Sequence, residues 1–159
     1  MICFSDRGVT LASSANMSVV VFRAPPITVP QLRAVRQEIA RIHKQYGTDR
    51  ASIAIVESAA MVSPDDAVRA EAAALARDLS SMLDATVLEG GGFRAAAVRA
   101  VMSGLSLLGG RSPTRRTFGN VDAALDAVVA TGRVTLSRPE LLALVAEARN
   151  TINGRGRES

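Results

Sequence analysis

Apolar residues come in two rhythms along this chain. Residues 2–5, 8–13 and 18–24 read as strands, and Val19 to Phe22 (VVVF) is continuously apolar, as in a strand buried on both faces. The stretch RAPPITVP ends that run. Thr28 stands three residues before Gln31, the spacing of a capping box. Leu32, Val35, Ile39, Ile42 and Tyr46 then recur with helical period until Gly47 stops the helix. SIAIVE (Ser52 to Glu57) predicts another buried strand. In Ser63-Pro64-Asp65-Asp66 the serine takes the cap, the proline the first helical position, and the acids suit the positive end of the dipole. The helix that follows places Val68, Ala72, Leu75, Leu79 and Met82 on one stripe. ATVLE is the next strand, followed by three glycines and a helix to about Leu108. RRTF (Arg115 to Phe118) is a short strand, and Asn120 caps VDAALDAVV, whose Val121, Leu125 and Val128 face inward.

This alternation predicts an α/β fold: a mixed, mostly parallel sheet of about four to five strands, covered by helices with right-handed crossovers. The last thirty residues depart from the rhythm. Ser137 and Glu140 make a third capping box, and Leu141, Leu144, Val145, Ala148 and Ile152 form an apolar stripe. The expected organisation is a domain over residues 1–130 and a C-terminal helical extension over 131–159, ending in a disordered tail, NGRGRES. Within the domain, the helix after the glycines is apolar nearly all round, with Ala96, Ala100 and Gly104 on a small-residue stripe. The C-terminal stripe is expected to dock on that helix or on a second subunit.

Composition narrows the function classes. The 159 residues suit one domain, which buries roughly 70% of its unfolded surface. One cysteine, Cys3, and one histidine, His43, exclude a disulfide framework and a Cys/His zinc site. A lone thiol, no signal-like N-terminus and no apolar run long enough for a bilayer lead to the expectation of a cytoplasmic protein without a membrane span. The net charge is +4, and Lys44 is the sole lysine. Residues 65–89 hold six acids and two arginines, whereas residues 90–119 hold five arginines and no acid. That segregation, with 3% aromatic residues, argues against nucleic acid as a partner.

The glycine stretch EGGGFRAAA admits three readings. A phosphate-binding Walker loop needs a lysine and a Ser/Thr after its last glycine, and here Phe93 and Arg94 follow. A dinucleotide fingerprint fits Gly90, Gly92 and Ala95 in form, but no acid occurs between Gly90 and Val121 to hold a ribose hydroxyl. The third reading is a sharp strand-to-helix turn. Within it, N–H groups at Gly90, Gly91 and Gly92 beside Arg94 form a candidate anion loop. His43 reads as a surface or boundary residue, Cys3 as a buried inert thiol, and Arg115-Arg116 as a solvated pair. Asp65 and Asp66 complement the helix dipole rather than forming a catalytic pair. No convergent set of nucleophile, base and oxyanion donor emerges, so no enzyme and no cofactor are expected.

The order of elements, with ATVLEGGGFRAAAVRAVMSGLSLL followed by RRTFGNVDAALDAVV, resembles the STAS domain (sulphate transporter and anti-sigma-factor antagonist) in its SpoIIAA-like branch. Phe118, Ala124, Leu125 and Val128 match that family's closing pattern, and the resemblance covers about residues 1–130. It implies a non-enzymatic regulatory or scaffolding domain in bacterial signalling, acting on protein partners, a homo-oligomer among them. Typical members carry a phosphorylated serine near the helix after the middle strand. Here, with Glu57 in place of the family's aspartate, Ser58 matches its first serine and Ala59 replaces the usual acceptor; Ser63 falls at the helix cap. The alternative is a binder of a small anionic or lipid-like ligand, using Gly90 to Arg94 and a gap beneath the helices. A large apolar pocket would favour the ligand binder, and a flat exposed apolar patch the partner-binding domain.

Overall fold

The computed structural model describes residues 1–24, 26–60, 64–78, 81–92 and 114–154. Six strands form one mixed sheet in chain order: β1 Ile2–Asp6, β2 Val9–Ser14, β3 Met17–Phe22, β4 Ala51–Val56, β5 Leu83–Leu88 and β6 Arg115–Phe118. β1, β2 and β3 are an antiparallel meander, and β3 to β6 run parallel. Four α-helices occur among the described residues: α1 Val29–Tyr46, α2 Asp66–Asp78, α3 Val121–Ala130 and α4 Arg138–Gly154. The α/β class expected from the alternation holds. The sheet is wider than the expected four to five strands because all three N-terminal strands join it.

Every residue of β3 is buried, which requires cover on both faces. On one face Leu32, Val35 and Ile39 of α1 and Val68 of α2 pack on Val9, Leu11, Val20 and Phe22. On the other, Leu125 and Val128 of α3 and Leu141, Leu144, Val145 and Ala148 of α4 pack on Val19, Val21, Ile53, Ile55 and Val87. The molecule is therefore a three-layer α/β/α sandwich. The stripe of α4 docks on the sheet itself, chiefly on β2 with β1 and β3 beside it. The alternative docking surface, the helix expected after the glycines, lies within residues 93–113, outside the described residues, as do Leu79 and residues 155–159.

The local signals hold at both ends of the chain and fail in the middle. Thr28 and Gln31 form the expected capping box of α1, and Asn120 Oδ1 accepts from Ala123 N at 2.8 Å to cap α3. Glu140 accepts from both the N–H and the hydroxyl of Ser137, at 2.7 and 2.6 Å, which holds its carboxyl below the ordinary glutamate value. At α2, by contrast, Asp65 is the cap. Its carbonyl accepts from Arg69 N, and its carboxylate accepts from Val68 N at 2.8 Å. The cap role expected at Ser63 is thus filled by Asp65; Ser63 lies outside the described residues. Met82 does not continue the α2 stripe either. It precedes β5 and packs with the α3/α4 layer.

One buried amide ties the loops together. Asn16, in the β2–β3 turn beside Ala15 with φ +47, is 5% exposed. Its Nδ2 donates to the carbonyls of Asp49 and Arg133, both at 2.9 Å, and its Oδ1 accepts from Thr135 N. The hairpin turn, the entry to β4 and the α3–α4 connection meet at this one side chain.

Candidate functional site

The two faces of the sheet are unequally filled at β4 and β5. Ala51, Ile53 and Ile55 point to the α3/α4 layer and are buried, whereas Ser52, Ala54 and Val56 point to α1 and α2 and are only half-buried. Asp84 and Thr86 on β5 repeat this. Small side chains on this part of the sheet, facing Ala72 and Leu75 of α2 and Leu32, Val35 and Ile39 of α1, leave a cavity of about 240 Å³. Its walls are mostly apolar.

Polar groups gather at one end. Ser13, Ser18, Ser52, Asp84 and Arg115 are successive cross-strand neighbours from β2 to β6, so they form a polar row across this face. Cys3 extends it: its Sγ lies 2.9 Å from Ser13 Oγ. Ser18 Oγ is buried with no hydrogen-bond partner. Ser52 Oγ donates to Asp84 Oδ1 at 2.5 Å, a charge-assisted bond. Arg50, just before β4, is 2% exposed and is the largest fully buried side chain among the described residues; its Nε lies 3.5 Å from His43 Nδ1. Burial pushes its guanidinium below the ordinary arginine value, and the Asp84 charge acts in the opposite sense. Arg50, Ser52, Asp84 and Arg115 all line the cavity, at the amino ends of β4 to β6. The opposite end holds Phe22, Ile27, Val56 and Val68, with Arg69, paired with Asp66, beside them.

The carboxyl ends of the strands carry a separate charge network. Arg23 donates to both oxygens of Glu57, at 2.6 and 2.8 Å, which raises its pKa above the ordinary arginine value. Arg149 of α4 pairs with Glu89 and approaches Glu57 at 3.7 Å, while its carbonyl accepts from Arg23. Two acids and two arginines balance, and the arrangement fastens α4 to the end of the sheet.

Of the residues singled out from the sequence, Arg115 is half-buried and lines the cavity, where a solvated loop residue was expected, and Ser58, Gly90, Gly91 and Gly92 do not line it. Ser58 opens a short 3₁₀ turn, is exposed, and donates its hydroxyl to Glu89 O at 2.7 Å. Gly90, Gly91 and Gly92 are exposed and are not among the residues lining the cavity. Gly90 and Gly92 have φ of +144 and +86, so part of the stretch requires glycine as a turn. Arg94 lies outside the described residues. His43 is half-buried, and so is Cys3, which sits at the irregular β1–β2 register instead of deep in the core. Asp66 pairs with Arg69. Sequence reasoning passed over Arg50, Ser52 and Asp84. The signal was there, in small and polar residues at alternate positions of SIAIVE and LDATVL, but it was read as strand burial alone.

No cluster of three or more His, Cys, Asp or Glu residues that could hold a metal occurs among the described residues, and no described helix is long and apolar enough to cross a membrane. Comparison with protein-family models, curated proteins and solved structures returned no match to this chain.

Proposed function

We propose that this chain is a non-catalytic binding domain that holds a small, largely apolar molecule between α1, α2 and the β4–β5 floor. The observation that carries this reading is the cavity of about 240 Å³ over a floor of small side chains. Ala54 and Ala72 leave space that larger apolar residues would fill, so the fold keeps apolar surface bare to water. Covering that surface is worth roughly 25 cal/mol per Å². The uncharged dye N-phenyl-1-naphthylamine should bind saturably to the wild-type protein. Ala54→Phe should abolish that binding without lowering the melting temperature. A wild-type protein that takes up no dye, or a folded Ala54→Phe protein that binds it equally well, overturns the reading.

The element order, β1–β2–β3–α1–β4–α2–β5–β6–α3, supports a second reading, a STAS-like domain regulated through protein partners. The exposed Ser58 in the turn after β4 is its candidate switch. A phosphate there would enter a site beside Glu57 and Glu89 and would compete with them for Arg23 and Arg149. Intact-mass measurement on protein from its native host tests this; stoichiometric phosphoserine at Ser58 supports the partner-regulated domain.

A further inference from the structure

On the binding reading proposed above, the outline of the cavity on the sheet indicates the shape of the occupant. Every strand of that floor lies within the described residues. β4 contributes its whole length on this face, Ser52, Ala54 and Val56. β3 contributes Val20 and Phe22 but not Ser18, and β5 contributes Asp84 and Thr86 but not Leu88. β6 contributes Arg115 but not Thr117. In the parallel register Ser18, Ser52, Asp84 and Arg115 stand level, as do Phe22, Val56 and Leu88. The outline therefore climbs obliquely, from the amino end of β6 to the carboxyl end of β3. The two corners it omits, Ser18 and Leu88, are buried.

The cavity is thus a slot. From Asp84 to Phe22 it crosses two strand spacings and the rise of four residues, roughly 16 Å. Leu32, Val35 and Ile39 of α1 wall one side, and Val68, Ala72 and Leu75 of α2 the other. Glu71 joins the two helices by pairing with Arg33 and Arg36. A compact molecule fills one part of such a slot and leaves the rest bare, whereas an extended one covers it from end to end. Affinity follows the apolar surface covered and the contacts made. Between the ends the walls are aliphatic; Phe22, at one end, is the one ring among the described lining residues, so a planar aromatic occupant finds little to stack on. We propose that the occupant is a single unbranched alkyl chain, lying extended from Asp84 past Ala54 to Phe22 and Ile27.

Hexanol, octanol, decanol and tetradecanol share one head and differ in length. Decahydro-2-naphthol has the carbon count and hydroxyl of decanol in a compact, fused-ring form. Each is titrated against the bound uncharged dye, with wild-type protein and with Ile27→Ala and Ala72→Leu variants that thermal melting has shown to be folded. Displacement should strengthen about fourfold for each added methylene from hexanol to decanol. It should stop strengthening before tetradecanol, where the slot ends. Decanol should displace the dye at about tenfold lower concentration than decahydro-2-naphthol, the equivalent of about two methylenes of contact. Ile27→Ala, which opens the carboxyl end, should carry the rise to longer chains, and Ala72→Leu, which narrows the middle, should end it at shorter ones. Equal displacement by decanol and decahydro-2-naphthol overturns the chain assignment while leaving the cavity as a binding site. An unbroken rise to tetradecanol that neither variant moves also overturns it, since an open apolar surface sets no length. Failure of the dye to bind the wild-type protein overturns the binding reading itself, on which the chain assignment stands.

Discussion

Gly91 and Gly92 are adjacent and exposed, and the sign of φ sets them apart. An added Cβ meets nothing within 4 Å at either position, but only Gly92 has a positive φ. Gly92→Ala should therefore cost about 1–2 kcal/mol, the penalty of an L-residue in the left-handed region. Gly91→Ala should be neutral or stabilise by about 0.4–1 kcal/mol, through loss of unfolded-state freedom. Urea unfolding of the two variants measures both. Equal effects would show that the stretch acts through something other than its turn. At this scale sequence reading does well where a signal is local. The Thr28–Gln31 box and the Asn120 cap are visible because cap and recipient lie three residues apart. Asp65 reads from the sequence as a dipole-complementing residue because Ser63, Asp65 and Asp66 all suit a helix start, and only the backbone decides which of them is the cap.

Helix α4 shows what an element contributes beyond its own residues. Its isolated stability would be marginal, yet Leu141 and Ala148 are fully buried against the sheet. Leu141→Ala should cost about 2–5 kcal/mol, whereas Leu142→Ala, at an exposed position on the same helix, should stay within about 0.5 kcal/mol. Chemical denaturation measures both. Deleting residues 131–159 should uncover Val19, Val21 and Ile53 from one side, giving dye binding and aggregation on size-exclusion with light scattering. A truncated chain as soluble and stable as the full one would show that α4 is dispensable to the core. The amphipathic stripe and its start were legible in the sequence. Its docking surface was not: period 3.6 reveals which side of a helix is buried but carries no address for the partner.

At the scale of the molecule, Asn16 is a junction between segments far apart in the chain. Asn16→Ala would leave the carbonyls of Asp49 and Arg133 and the N–H of Thr135 without this partner. The expected cost is about 0.5–1.5 kcal/mol for each hydrogen bond lost. Amide exchange should accelerate at Thr135, in the α3–α4 connection, far from residue 16 in sequence. Exchange confined to the β2–β3 turn would show that the three loops are held independently. Nothing around Asn16 announces this role, since an Asn in a hairpin turn is what turn chemistry supplies anyway.

The sequence alone determined the order and type of the described elements, most of their boundaries and many of the residues that face inward. Those properties depend on neighbours within a few positions, through the periods of helix and strand and the reach of a capping side chain. The cavity was decided elsewhere. Ser52, Asp84 and Arg115 lie on three strands and become neighbours only through the parallel register. Arg50 is an ordinary charged residue before a strand until the α1 helix and the sheet close around it. Alternation in SIAIVE distinguishes two faces of β4 but cannot say which one α3 and α4 will fill completely and which one α1 and α2 will leave half-covered. That outcome depends on the volumes of side chains brought together from across the chain, and it exists only in the folded packing.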